Sequence, residues 1–539
     1  MIYYRKIFAF IMASFMLIAV FSGCSEDDGS GYTFKMNLES NPQNLDPQLA
    51  EDVSSRIIIS NMMDGLMKTD DNGVIVPDVT ESYSVSEDGL VYTFELKQNI
   101  FWESANGYKA ALTADDFVFA FHRIYDSEAL FSPYVDDFIC IKNAEAVSKG
   151  LLDKSELGVT ALSDYTLQIE LEYPCYNFLE LLTLTAAMPC NKAFFESTKG
   201  RYGLSAETSA SNGAFYLKEW NYDPYWDNNY IIMRRNKSNS EQNYVYPYSL
   251  NFFITGNSEN DSSDFSGGDI DCFITDKYDK KVFDGSNYSE YSIKSYGLLF
   301  NCNSKYFGNR NLRLALASSI YHNFNLSSED EYTAAYGIIP NDVTIMGRKY
   351  REMVSDDSMI IYDNENAENL WRNGLAAMNT VSVDGVKITV PESFGGADYL
   401  SSITEQWQEN LEFFCGVEVV SQNEYDLKIS DGTFDIALVE IDPSSGFSDS
   451  YLEFFTASNN ELGEYMNYSV TDYLNRIKRA ESLNEAVELY SAAESSILST
   501  AVYIPLFYGN EYFVCSKDSA DLDYNPFTEE VDFRYAKMF

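Results

Sequence analysis

Histidine is almost absent from this chain, since only His122 and His322 occur among its 539 residues. Imidazole is a common ligand of nickel, copper and zinc, so a site for these metals is disfavoured. The eight cysteines include no Cys-x-x-Cys pair, which leaves a zinc or redox site unsupported. The sequences Gly-x-Ser-x-Gly, His-Glu-x-x-His and Walker A are also missing. The chain therefore lacks the local motifs of serine hydrolases, zinc proteases and P-loop ATPases.

Basic residues are scarce as well. Lys and Arg number 37 against 83 Asp and Glu, and the formal net charge is −46. The negative electrostatic field of such a chain repels phosphate backbones and anionic membrane surfaces, so nucleic acid is excluded as a partner. The acids are scattered along the chain, which suits a solvated extracellular surface with some preference for cationic ligands. Paired carboxylates also serve glycosidases, but among so many acids no pair is informative.

The aromatic content is high, with 41 Tyr and 36 Phe against 5 Trp. Tyrosine combines an apolar ring with a polar tip, so it suits ligand clefts as well as cores. A chain of this length exceeds one hydrophobic core and predicts two or three domains. Beyond the N-terminus no apolar run is long enough to span a membrane, because residues 178–188 are too few and include Glu180.

The N-terminus begins with Arg5 and Lys6, continues with the apolar residues 7–21 and ends in Ser22-Gly23-Cys24. This order is typical of a signal peptide, here residues 1–23. Its end resembles the lipobox of bacterial lipoproteins, which implies cleavage before Cys24 and a diacylglycerol on that thiol. An uncleaved anchor helix is the alternative. Both place the protein outside the cytoplasmic membrane, with residues 24–31 as lipidated cysteine and tether.

Seven cysteines remain after Cys24, an odd number at wide spacings. This favours free thiols over a disulfide framework, although Cys175 and Cys190 could pair.

Local patterns predict strands that alternate with helices. Residues 92–96 alternate apolar and polar side chains, which indicates a strand with one buried face. Thr113 precedes two Asp residues and an apolar stripe, which predicts a helix capped by Thr113. Residues 401–414 carry apolar side chains at helical spacing and predict a helix that ends with Phe414 in the core. The fold class is therefore α/β.

Several segments combine into a longer pattern. The segments are Asn44-Leu45-Asp46-Pro47, Asp64-Gly65-Leu66, Pro77 with Glu81-Ser82-Tyr83, Ser86-Glu87-Asp88-Gly89-Leu90, Thr113-Ala114-Asp115-Asp116-Phe117-Val118, Ser211-Asn212-Gly213-Ala214-Phe215 and Leu312-Arg313-Leu314-Ala315. The chain resembles the family 5 extracellular solute-binding proteins, the oligopeptide- and dipeptide-binding components of ABC importers.

The resemblance implies a periplasmic-binding-protein-like fold of two lobes, with two crossovers and an extra domain inserted in the first lobe. The crossovers are expected near residues 291–296 and 499–502. Lobe I is expected to consist of three separate segments, residues 32–63, 189–293 and 501–539. The inserted domain II is expected at 64–188, and lobe III at 294–500.

The resemblance also implies three places that contact a ligand. They are the segment Glu51, Asp52 and Val53; the cleft residue Tyr134; and the strand end with Val439, Glu440, Ile441, Asp442 and Ser444. The first place could instead be a solvated loop. Tyr134 could serve only loop packing, and the third place could be an ordinary strand end. Peptide binders carry an Asp at the position of Ser444 that grips the ligand's amino terminus. Here Asp442 would have to take that role, or else it caps a helix before Pro443.

The function implied is capture of oligopeptides by a monomeric lipoprotein for an ABC permease and its ATPase, with no cofactor and no catalysis. Binding of an oligosaccharide in the same fold, a surface receptor that signals the presence of peptides and a secreted glycosidase are the alternatives. Nickel binding is disfavoured by the two histidines.

Overall fold

The computed structural model describes residues 31–70, 73–126, 132–225, 228–239, 244–322, 326, 331–355, 362–442, 448–456, 462–528 and 530–539. The expected signal peptide, Cys24 and Ser444 lie outside these residues.

Strands and helices alternate through the described chain. In chain order the strands are β1 (Thr33–Leu38), β2 (Met67–Thr69), β3 (Ile75–Pro77), β4 (Thr80–Val85), β5 (Val91–Leu96), β6 (Phe101–Glu103), β7 (Lys109–Ala111), β8 (Val159–Ser163), β9 (Thr166–Glu170), β10 (Phe215–Asn221), β11 (Tyr230–Arg235), β12 (Ser249–Ile254), β13 (Cys272–Thr275), β14 (Ser286–Phe300), β15 (Tyr332–Ala334), β16 (Thr344–Ile345), β17 (Arg348–Lys349), β18 (Lys387–Pro391), β19 (Gly416–Val420), β20 (Ile436–Ile441), β21 (Tyr503–Ser516), β22 (Ser519–Ala520), β23 (Asp523–Asn525), β24 (Glu530–Asp532) and β25 (Lys537–Met538).

The helices follow the same numbering. They are α1 (Val53–Met62), α2 (Ala114–Ile124), α3 (Ala144–Ser148), α4 (Phe178–Leu181), α5 (Lys192–Ser197), α6 (Asp261–Gly267), α7 (Lys280–Phe283), α8 (Arg310–Ser318), α9 (Tyr350–Met353), α10 (Asn364–Ala377), α11 (Ala397–Leu411), α12 (Gln422–Ser430), α13 (Ser450–Glu453), α14 (Gly463–Met466), α15 (Thr471–Ile477) and α16 (Leu483–Thr500), with short 3₁₀ helices at Lys154–Glu156, Thr185–Ala187 and Ala206–Thr208.

One eleven-stranded sheet organises the fold, with the order β10-β11-β12-β1-β13-β21-β14-β20-β18-β19 and β15 added beside β21. The two longest strands, β14 and β21, are antiparallel neighbours, and their register extends from Ser286 opposite Ser516 to Leu299 opposite Tyr503. On one side lie β13, β1, β12, β11 and β10, here called the first lobe. On the other side lie β20, β18 and β19, and these strands, together with β15 beside the first half of β21, are here called the second lobe. The mixed α/β two-lobe fold expected from the sequence is thereby confirmed.

The hydrophobic cores follow the same division. The second lobe has a core on each face of its sheet, one around Tyr451 and Ile497 and the other around Trp407 and Leu400. The first lobe shares its main core with residues from the inserted region, so Phe34 and Phe94 belong to one buried cluster. The inserted region is thus fixed to the first lobe by continuous apolar packing.

The inserted region contains its own antiparallel sheet, in the order β4-β5-β9-β8. Tyr92, Phe94 and Leu96 point into the core as their alternation predicts. Helix α2 begins after Thr113, and Asp116 accepts hydrogen bonds of 3.0 Å from the Thr113 N–H and from the Trp102 indole N–H. Both local expectations for this region are confirmed.

Strand β21 contributes to the cores of both lobes. Ile504, Leu506 and Phe507, in its first half, are fully buried in a second-lobe core, whereas Phe513 belongs to the main core of the first lobe. The expected lobe and domain boundaries, including the crossover near residues 499–502, remain predictions.

Helix α11 ends three residues earlier than expected. Glu412 has a φ of 52° and ends the helix in the left-handed region. As a result Phe413 turns into the core, and Phe414 is 68% exposed.

The seven described cysteines are all unpaired. The thiol of Cys175 lies beside that of Cys140, whereas Cys190 lies 3.5 Å from the guanidinium of Arg123. A Cys175–Cys190 disulfide is therefore absent from the described chain. Within the described ranges, every helix is too short or too polar to cross a bilayer.

Candidate functional site

The first expected contact segment lies where the chain enters helix α1. Asp52 caps this helix, because its carboxylate accepts hydrogen bonds from Ser55 N (2.9 Å) and Ser55 Oγ (2.6 Å). Glu51 is exposed, and its carbonyl oxygen accepts a hydrogen bond from the guanidinium of Arg56. Val53 is half-buried against the first-lobe core. Of the three side chains, that of Glu51 is the one free to meet a ligand from this segment.

The second expected contact residue lies next to the first segment. The hydroxyl of Tyr134 donates to the carbonyl of Ala50, and Ser132 Oγ donates to the carbonyl of Gln48 over 2.7 Å. Burial raises the pKa of Tyr134, so its phenol stays protonated and acts as a donor. The structure therefore brings two of the three expected places together.

A surface cavity of about 280 Å³ opens at this junction. Its lining consists of Gln43, Asn44, Leu49, Ala50, Glu51, Asp52 and Pro133. Backbone and polar groups of the first lobe dominate the lining, which suits hydrogen bonding to a polar ligand.

The third expected place is the end of β20 in the second lobe. Val439 and Ile441 are 3% and 2% exposed because their side chains point into the core around Tyr451. Strand alternation sends Glu440 and Asp442 to the opposite face, where both are exposed. Of these four side chains, a ligand can reach only those two, while Val439 and Ile441 offer backbone groups alone.

One edge of this strand end is open. On one edge, β20 pairs with β14 along the whole length of β20, from Ile436 to Ile441. On the other edge, β18 pairs only with Ile436 and Ala437. Across the described ranges no strand pairs with this edge from residue 438 onward. The Leu438 carbonyl accepts a hydrogen bond of 2.7 Å from the Tyr425 hydroxyl, so the backbone groups beyond Leu438 are the ones that can meet a further strand.

Lys294 lies beside the third expected place, and the sequence pattern did not reveal it. Its Nζ lies 3.7 Å from Glu440 Oε1 and 3.6 Å from Asp442 Oδ2. Burial lowers the pKa of Lys294, but Asp442 and Glu440, with help from Glu511 and Asp276, outweigh burial and raise it. Burial also raises the pKa of Glu440, and Asp442 adds to this increase. The lysine is therefore charged and offsets part of the negative charge of the two acids.

A second group missed by the sequence lies where the inserted region meets the second lobe. Burial raises the pKa of Asp137 to about 7 and that of Glu180 to about 7, and Asp449 of the second lobe adds to both. The pKa of Asp449 is itself raised to about 6, by burial and then by Glu453. Lys478 is the cation that opposes Asp449, Glu453 and Asp137. Nearby, the hydroxyls of Tyr176 and Tyr490 lie 3.4 Å apart across the same junction.

No group of three or more His, Cys, Asp or Glu side chains is placed to hold a metal ion within the ranges that the structure covers. What the arrangement offers is an open strand edge, an acidic pair with its own lysine and a polar cavity on the facing lobe. These features can bind and orient a solute.

The family model described as bacterial extracellular solute-binding proteins, family 5, matches residues 74–463. The chain belongs to this family. The family assignment made from the sequence motifs is confirmed.

Curated relatives agree with this assignment. The dipeptide-binding protein DppE of Bacillus subtilis is 25% identical over 496 residues, covering 88% of this chain and 86% of DppE. The oligopeptide-binding protein OppA of the same organism is 23% identical and covers 96% of this chain and 94% of OppA.

Solved structures share the fold. Listeria monocytogenes OppA bound to peptide has a TM-score of 0.67 at 20% identity and covers 95% of this chain and 99% of the other. The unliganded open form of the murein tripeptide-binding protein MppA has a TM-score of 0.70 at 21% identity, with 95% and 98% covered.

Proposed function

We propose that this family 5 protein captures oligopeptides outside the cell and delivers them to the permease and ATPase of an ABC importer. The observation that carries the proposal is the open backbone edge of β20 beyond Leu438. An extended peptide can add to such an edge as a further strand, so that main-chain hydrogen bonds give affinity for many sequences.

The facing lobe supports the same function. The 280 Å³ cavity beside Tyr134 and Glu51 can accept a side chain together with water. Closure of the two lobes about β14 and β21 would then enclose the ligand, and the ligand would stabilise the closed state. Such a protein orients and releases its solute without bond chemistry, so we propose no enzymatic activity. The relatives named above bind dipeptides and oligopeptides, in agreement with this ligand class.

The proposal includes the membrane anchor and the monomeric state. A thioether-linked diacylglycerol on Cys24 would hold a monomer on the extracellular face of the cytoplasmic membrane. Replacing Cys24 with Ser should release the protein into the medium. A Cys415→Ser variant is the matched control, since it removes a thiol from the mature chain and should leave the protein with the membrane.

Native mass spectrometry tests the ligand class. Residues 25–539, purified gently from a peptide-rich host, should retain masses that fragment as short peptides. An empty protein that binds oligosaccharide but no peptide would overturn the proposal. Absence of turnover on glycoside substrates, with ligand-induced thermal stabilisation by peptides, separates binding from hydrolysis.

A further inference from the structure

Lys294, Glu440 and Asp442 lie on one face of the central sheet. Tyr296 pairs with Glu440 in the register of β14 and β20, and alternation places Lys294 and Asp442 on the same face. The lysine side chain is 17% exposed, whereas those of Glu440 and Asp442 are 42% and 50% exposed. The acids thus reach solvent, and the lysine lies beneath them.

The neighbouring backbone makes room for this lysine. Gly509 is opposite Lys294 in the register of β21 and β14. A Cβ atom at Gly509 would lie 2.7 Å from the ring of Tyr296 and 3.2 Å from Cβ of Lys294. The absence of a side chain at this position lets Lys294 and Tyr296 lie flat across the sheet, so the lysine is held under the acids by packing.

The charge of this lysine changes what the acids can do. A carboxylate pair in a cleft attracts an ammonium group, but here an ammonium already lies within 4 Å of both acids. A second ammonium from a ligand would share the carboxylates with Lys294 and would also meet its like charge, so it gains less here than at an acidic pair without a lysine. A neutral ligand end avoids that repulsion and can still hydrogen-bond to the exposed carboxylate oxygens through its amide N–H.

We propose that Lys294 determines ligand specificity by acting as a built-in ammonium, so that the cleft accepts peptides whose amino terminus is blocked at least as well as peptides whose amino terminus is free. This inference rests on the proposed peptide-binding function and deepens it. It assigns Lys294 to the site and names N-acylated peptides as a ligand class.

The test compares two matched peptide series, one with free amino termini and the other N-acetylated, against the exported full chain by calorimetry at pH 7.5. The wild type should bind the acetylated series as tightly as the free series within threefold, or more tightly. K294M should shift the ratio of the two dissociation constants at least fivefold toward the free peptides. Adding D442N to K294M should reverse that shift, because the uncovered carboxylate is its cause.

K142M is the matched control, since Lys142 pairs with Glu170 over 2.7 Å in the inserted region, and it should leave the ratio unchanged. If K294M does not fold, K294Q takes its place. A wild type that prefers free amino termini by more than threefold overturns the inference, as does a K294M ratio that moves less than fivefold; peptide binding itself then stands. If neither series binds, the proposed function fails and this inference fails with it.

Discussion

The backbone N–H of Met346 donates a hydrogen bond of 3.0 Å to Oε1 of Glu180, and this contact joins the second lobe to the inserted region. Met346 follows strand β16, and Glu180 lies on helix α4. The second lobe and the inserted region are therefore in contact on this side of the molecule. Contacts of this kind, and the packing behind them, determine how the protein responds to pH and to substitution.

Because of Glu180, we expect the free energy of unfolding to fall as the pH rises. Burial raises its pKa from an ordinary 4.5 to about 7. Below pH 4.5 the group is neutral in both folded and unfolded chains, whereas between these two values the unfolded chain alone releases the proton. The free energy of unfolding should therefore decrease between pH 4.5 and 7, by about 3 kcal/mol for this group, and level off above pH 7.

Urea unfolding at pH 5 and pH 8 measures the effect. Glu180→Gln keeps an oxygen that can accept the Met346 N–H but cannot ionise, so it should flatten the dependence. Glu207→Gln is the control, because Glu207 is exposed on the first lobe. An unchanged pH slope in Glu180→Gln would contradict the assignment.

We expect a side chain at Gly347 to hinder closure of the two lobes by steric clash. A Cβ at this residue would lie 2.3 Å from the carbonyl oxygen of Gly73. Gly347→Ala must therefore push the β16–β17 hairpin of the second lobe away from the β2–β3 hairpin of the inserted region. Gly385 also has a positive φ, 77° against 73° for Gly347, and its Cβ would meet no atom within 4 Å. Gly385→Ala therefore isolates the backbone strain of about 1 kcal/mol. Only Gly347→Ala should enlarge the radius of gyration and weaken peptide binding; equal behaviour of the two variants would exclude the contact.

We expect substitution of Arg534 to cause a large loss of stability. Its guanidinium forms an ion pair with Asp64, and the two side chains are 4% and 5% exposed. Arg534→Met leaves a buried carboxylate without its cation and should lower the free energy of unfolding by about 3 to 5 kcal/mol. Arg372→Met, on the surface of α10 with 69% of its side chain exposed, should change stability by less than about 1 kcal/mol. Adding Asp64→Asn to Arg534→Met should restore some of the loss, and no restoration would argue against the pair.

At the candidate site, we expect substitution of Tyr134 to cause a smaller loss of stability. Tyr134→Phe removes the hydroxyl that donates to the Ala50 carbonyl and should lower the free energy of unfolding by about 1 kcal/mol. Tyr225→Phe serves for comparison, since Tyr225 is 92% exposed. Thermal melts of both variants check this prediction, and equal melting temperatures would refute it.

The sequence predicted the fold well where the signal is local. The alternation of residues 92–96 and the cap at Thr113 each involve neighbours in the chain, and both are present in the structure. The alternation of Val439, Glu440, Ile441 and Asp442 likewise contains the signal that separates buried from exposed side chains. The boundary of α11 was wrong because a single left-handed residue, Glu412, ends the helix against its apolar periodicity.

The site was harder to predict because its partners are distant in sequence. Lys294 meets Asp442 only through the register of β14 against β20, and no local pattern encodes that register. The pairing of Glu180 with Met346 depends in the same way on how the lobes lie together. The roles that the resemblance implies for Tyr134 and the end of β20 remain predictions, and the resemblance did not indicate that a lysine of this chain lies beside the acidic pair.

The pairing of β14 with β21 also constrains how the chain folds. Residue 299 pairs with residue 503, and residue 286 pairs with residue 516, so the central strands meet only after almost the whole polypeptide exists. Contacts so far apart in sequence are slow to form, because a long loop must close first. A chain exported from its N-terminus would therefore cross most of the membrane barrier before its central sheet could be completed.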